Sequence, residues 1–253
     1  MESLYVLITG FGAPHYEHKV DILRKNLEKI HQYPWKKVDI WIYQYSDPSK
    51  YHIPHELLDQ YNIKVMYQPG IVGEFMKIGA APQHIDDYDY ILTLLDDVEL
   101  VNPEWDKLME YIQEFQFDLL SPCLTRDSKY QYEYMRYDEK LPTGLKVTPC
   151  CEYFCFFADT KRFHRYWLAL EDKNPWMWGL DLILRKHLNI RVAIVTWFQI
   201  NHWYKNESYN DRPDINPVEG FKYMMDLYHE SADQLAQQCP IMYYIVDPFA
   251  HKK

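Results

Sequence analysis

The chain has 253 residues with 27 basic and 37 acidic side chains, a formal net charge of −10. That balance excludes a general nucleic-acid binder, which needs a basic footprint to displace phosphate counterions, and 47% apolar residues exclude a disordered chain. No run of about 18 apolar residues occurs, so no membrane span is expected. Met1-Glu2-Ser3-Leu4 does not resemble a leader. The cysteines, Cys123, Cys150, Cys151, Cys155 and Cys239, are odd in number and contain no CxxC pair, so neither a disulfide framework nor a zinc ribbon is expected. The expected setting is cytoplasmic.

Residues 4–11 read as a buried strand, and Val20, Leu23, Leu27 and Ile30 mark one face of a helix over 18–30. A strand at 38–45, a short helix near 54–61 and a strand at 63–67 follow. Gly70 and Gly73 flank the entry to a helix running to about Gln83. Residues 90–95 (YILTLL) form a continuous apolar run, the mark of a strand covered on both faces. Asn102 and Pro103 suit the N-cap and first position of the next helix, and 118–121 read as another strand.

Beyond residue 122 the spacing changes. Tyr130, Tyr132 and Tyr134 alternate with polar residues as in a strand, and 151–158 is a second apolar strand. Helices near 160–171 and 179–188, a strand at 190–200, a polar loop at 204–216 and a last helix over 217–237 complete the chain. Strands alternating with helices imply an α/β fold with a mostly parallel sheet. Without repeats or linkers the simplest organisation is one domain over 1–253.

Three places carry candidate chemistry. Asp96-Asp97-Val98-Glu99 follows the buried strand 90–95 directly, at the carboxyl end where open α/β sheets bind ligands. Acids crowded there repel one another unless a cation sits among them, and Mg²⁺ or Mn²⁺ shared with substrate phosphates is the natural occupant; the alternative is a solvated acidic turn. Asp181, in Trp176-Met177-Trp178-Gly179-Leu180-Asp181, stands behind an aromatic wall, where a carboxylate suits a general base, or else an acid favoured by the helix dipole. His202 lies just past the last core strand, where a neutral imidazole completes a metal site. The 23 tyrosines and 8 tryptophans offer flat faces with polar tips, which suit sugars as well as cores.

These stretches together resemble the GT-A glycosyltransferases, and more narrowly a glycosyltransferase family of plants and large algal viruses. The resemblance rests on YDYILTLLDDVEL (88–100), WGLD (178–181) and the strand leading to His202, and covers roughly residues 63–205. It implies a GT-A fold whose residues 1–122 bind a nucleotide sugar and whose residues 123–253 bind the acceptor. It implies Asp97 as main metal ligand, Asp96 at the ribose or a metal-bound water, His202 closing the metal shell, and Asp181 as the base of an inverting hexosyl- or pentosyltransferase. Leu95 occupies the place of the first Asp of the usual DxD, so an Asp97-x-Glu99 pair is an alternative.

Gly10-Phe11-Gly12 lacks the third glycine of a dinucleotide fingerprint. In a GT-A frame Gly10, Gly12, Asp47, Lys77 and Trp178 are expected around the nucleotide sugar, with UDP favoured, and Tyr130, Tyr132, Tyr134, Glu152 and Trp176 face a glycan or glycoprotein acceptor. The rival readings are a sugar-nucleotide nucleotidyltransferase, for which GFGAPHYEHK supplies no glycine-rich basic signature, and a non-catalytic carbohydrate-binding domain.

Overall fold

The computed structural model describes residues 2–129, 132–204, 216–237 and 243–247. Four parallel strands build its first half: β1 (Ser3–Phe11), β2 (Lys37–Gln44), β3 (Ile63–Tyr67) and β4 (Tyr90–Leu95), in the order β3-β2-β1-β4. Between them run the helices α1 (Tyr16–His31), α2 (His55–Tyr61), α3 (Val72–Gly79) and α4 (Pro82–Ile85). β1 and β4 are buried along nearly their whole length because helices cover both faces, which is why they read as unbroken apolar runs.

The same sheet continues into the second half. β8 (Cys155–Asp159) pairs antiparallel with both β4 and β6 (Leu119–Leu124), and β6 runs parallel to β9 (Val192–His202). β5 (Val98–Leu100), β7 (Gly144–Thr148) and β10 (Tyr243–Val246) add antiparallel pairings to this half. The expected mostly parallel sheet is therefore parallel through its first half and mixed beyond it. The remaining helices are α5 (Trp105–Phe115), α6 (Thr160–Leu168), α7 (Leu180–Ile183), α8 (Pro217–Leu227) and α9 (Ala232–Gln237).

Several expectations need correction. The helix expected from Gly73 to Gln83 breaks at Ala80-Ala81, ahead of Pro82, which cannot donate to the preceding turn. Asn102 does not cap α5; its amide donates to the Trp197 carbonyl (2.8 Å) and its Oδ1 accepts from the Gln199 amide (2.9 Å). It thereby braces a bulge in β9, where the register with β6 jumps from Pro122↔Val195 to Cys123↔Gln199. Residues 133–135 form a 3₁₀ turn rather than a strand; Tyr130 lies outside the described residues. The helix expected over 217–237 is two, α8 and α9. Cys123, Cys151 and Cys155 are buried free thiols, whereas Cys150 is disulfide-bonded, where none was expected. Among the described residues no helix is long and apolar enough to cross a membrane.

Candidate functional site

A cleft of about 580 Å³ opens at the carboxyl ends of β1 and β4, bounded by the end of β9 and the start of α7. Asp96, Asp97, Asp181 and His202 all line it, together with Gly10, Glu152, Trp176 and Trp178. Residues separated by most of the chain thus line one cleft.

The acids leave β4 in a tight turn. Asp96 Oδ2 accepts from the Gly12 amide at 3.1 Å and pairs with Lys19 Nζ at 2.8 Å. Burial raises the Asp96 pKa, and Asp97 adds to it, against the pull of Lys19. Asp97 Oδ2 faces His202 Nε2 at 3.3 Å. Burial alone would raise the Asp97 pKa, but His202 and Lys19 outweigh it and hold the carboxyl below its usual range. For His202 burial works toward a lower pKa, and the Asp97 carboxylate overrides it to a higher one.

The His202 ring is held in one orientation. Its Nδ1 lies 2.7 Å from the Lys129 carbonyl, which can only accept, so Nδ1 carries hydrogen. Nε2 then meets a carboxylate, and the pair is stable only with a proton or a metal cation between them. An anchored Nδ1–H, an Nε2 aimed at a carboxylate and a carboxylate-rich rim are the donor set of a mixed oxygen and imidazole divalent site. Among the described residues no group of three or more His, Cys, Asp or Glu side chains is placed to hold a metal ion by itself. The residues fit an ion held by Asp97 and His202 that takes its other ligands from phosphate oxygens and water.

Glu99 is not brought to this cleft. It points to the other side of β5, where it pairs with Lys25 (3.1 Å) and accepts from Trp203 Nε1 (3.2 Å). Asp47 is exposed and closes its own turn on Ser49, and Lys77 pairs with Asp172 on the surface. Neither of these two lines the cleft. Gly12 contributes only its amide to Asp96, because a Cβ there would stand 2.3 Å from Ser46 Oγ.

Asp181 reaches the cleft from α7. The preceding segment is braced twice: the Gly73 amide donates to the Pro175 carbonyl (2.8 Å), and Asn174 Nδ2 donates to the Trp178 carbonyl (2.8 Å). Gly179 takes a left-handed conformation (φ 79°), and a Cβ there would lie 2.9 Å from the Phe221 ring. Burial pushes Asp181 up to about 6, while the Tyr132 hydroxyl and the backbone amides of Asp181, Leu182 and Gly179 hold it from rising further. Tyr132 is tied to the rim as well, its backbone N–H donating to Glu152 Oε1 at 2.9 Å and its ring stacking on Tyr134.

Two features of the cleft escape a reading of the sequence. The Tyr132–Asp181 bond joins the residue before the 3₁₀ turn to α7, far apart in the chain. Lys19 has a local signal: it stands four residues before Leu23, on the buried stripe of α1, where a charged side chain needs a reason.

No protein-family model matches the chain, and no curated protein matches it. Solved structures do. GalNAc-T7 with UDP, GalNAc and Mn²⁺ superposes with a TM-score of 0.63 at 12% identity, over 93% of this chain and 50% of that one. The 1–349 portion of S. aureus TarS in complex with UDP-GlcNAc gives 0.51 at 12% identity, over 79% of this chain and 58% of that one. The chain thus spans about half the length of the first and somewhat more of the second. The fold is that of the GT-A glycosyltransferases. The likeness is one of fold and does not extend to the narrower plant and algal-virus family.

Proposed function

We propose that this chain is a glycosyltransferase that moves a hexosyl or pentosyl group from a nucleoside-diphosphate sugar, UDP favoured, to a hydroxyl of a glycan, with inversion. The observation that carries the reading is the meeting of Asp97, Asp181 and His202 on one cleft of about 580 Å³, a volume suited to a ligand of nucleotide-sugar size. Asp97 and His202 would hold a Mn²⁺ or Mg²⁺, which would supply positive charge to offset that of a leaving diphosphate.

Asp181 is the base. With a pKa near 6 it is ionised at neutral pH, yet it is more basic than an exposed carboxylate. It takes the acceptor hydroxyl's proton as that oxygen bonds to the anomeric carbon; the sugar–phosphate bond breaks and its electron pair leaves with the diphosphate. The Tyr132 hydroxyl fixes the carboxylate's direction. Trp176 and Trp178 present apolar faces at the cleft wall, suited to a sugar's C–H face and to the exclusion of water.

The test is incubation with UDP-, GDP- and CMP-sugars and Mn²⁺, following both the melting temperature and release of free nucleotide. One nucleotide class is expected to stabilise the chain and be turned over, and D181N to bind it without turnover. A chain indifferent to every donor overturns the proposal.

A further inference from the structure

Lys19 is a charged side chain of the cleft that the transferase reading leaves without a role. It belongs to the first turn of α1, its side chain is only 6% exposed, and it lines the cleft. Both its burial and its position oppose a positive charge: an ammonium loses hydration there, and the amino end of a helix already carries partial positive charge. A buried ion pair seldom stabilises a fold more than apolar packing of the same volume would. The pair with Asp96 at 2.8 Å therefore does not by itself account for a lysine here.

The geometry leaves Lys19 with capacity to spare. An ammonium has three donors, and Asp96 Oδ2 takes one of them while also accepting from the Gly12 amide. The Tyr45 ring, 5.9 Å from Nζ, offers a π face but no oxygen. The charge pattern agrees. Asp96 and Asp97 together would cancel a divalent cation at this end of the cleft, and Lys19 places one further positive charge beside them, where a diphosphate would lie.

We infer that Lys19 is a resident diphosphate-binding cation, whose ammonium bridges Asp96 and a phosphate oxygen of the nucleoside diphosphate. The inference rests on the transferase reading and extends it: part of the phosphate affinity is built into α1 and does not depend on a metal ion. Asp96 serves to aim the ammonium, which makes it a positioning residue rather than a contact to the ribose or a metal-bound water.

A binding cycle tests this. Affinity for UDP, GDP, ADP and CDP is measured by calorimetry, and the tightest is carried forward with and without Mn²⁺, beside the matching nucleoside without phosphates. Lys19→Met alone strands a buried carboxylate, so the same substitution is also made in an Asp96→Asn background, where no charge is left unpaired. If Lys19 meets the phosphate, K19M weakens the diphosphate about tenfold or more in both backgrounds, also in EDTA, and changes nucleoside affinity less than twofold. A K19M effect that vanishes in the D96N background makes Lys19 a counterion of Asp96 only and overturns the inference. A wild-type chain that binds none of the four diphosphates removes the transferase reading itself, and this inference with it.

Discussion

Replacing Asp181 by Asn removes the ionisable group and keeps the side chain's shape. Burial raises its pKa from 3.8 to about 6, and at about 1.4 kcal/mol per pH unit the ionised form costs the fold up to ~3 kcal/mol. The sign follows from proton binding. Between pH 3.8 and about 6 the native chain keeps a proton that the unfolded chain has released, so stability falls as pH rises through that window and stays lower above it. Asn carries no such cost. Its amide group does, however, meet some of the Tyr132 and backbone donors that the carboxylate satisfied, which takes back ~1 kcal/mol. D181N is therefore expected to be ~1–2 kcal/mol more stable than wild type at pH 7.5, a rise in melting temperature of roughly 2–8 °C, with the advantage gone near pH 4. Thermal denaturation of both chains in half-unit steps from pH 4 to 8 reads the difference directly. A gap that does not change with pH, or one in which wild type gains on the variant as pH rises, refutes the assigned environment of Asp181.

Other outcomes follow from the same geometry. His202→Ala is expected to lower Mn²⁺ affinity in the presence of nucleotide by about tenfold or more while the chain still melts cooperatively; unchanged affinity by calorimetry would remove His202 from the metal site. Glu99→Gln, which touches only the Lys25 and Trp203 side of β5, should leave Mn²⁺ affinity within twofold, and a large loss would restore the Asp97-x-Glu99 pair. Gly73→Ala would set a Cβ 2.5 Å from the Pro175 carbonyl oxygen and 3.0 Å from Met177 Cγ. That clash should cost ~1–3 kcal/mol, seen as a lower denaturant midpoint, and should disturb the aromatic wall; a wild-type midpoint would contradict the close approach.

The fold is legible in the sequence where one element dictates its own pattern. β1 and β4 are covered on both faces, so their apolar runs admit few other readings, and α1 and α5 show clear stripes. Elements that depend on partners are not legible. β5 has three residues and exists because Asn26 clamps it, its Nδ2 donating to Val98 O and its Oδ1 accepting from Leu100 N, both at 2.8 Å. β7 buries Lys146, whose ammonium is satisfied by the Tyr134 and Arg136 carbonyls at 3.1 and 2.7 Å, an arrangement no local pattern announces. Asn102-Pro103 carries helix-start chemistry that β9 uses instead.

The candidate site divides in the same way. Asp97 and His202 are legible because they stand at the ends of long buried strands, where α/β sheets hold ligands, and Asp181 because an acid follows a dense aromatic run. Glu99 misleads: two residues beyond Asp97, it belongs to β5, whose antiparallel pairing with β9 turns its side chain toward Lys25. Lys77 misleads because a helix lysine near the acidic strand pairs with Asp172 at the surface and does not line the cleft.

Anomalous diffraction from crystals grown with Mn²⁺ and UDP puts the central claim at most direct risk. The expected map has one manganese peak coordinated by the Asp97 carboxylate and His202 Nε2 at about 2.0–2.3 Å, with the diphosphate beside it and Asp181 across the cleft. Manganese or nucleotide bound reproducibly elsewhere, with this cleft holding only water, would contradict the account.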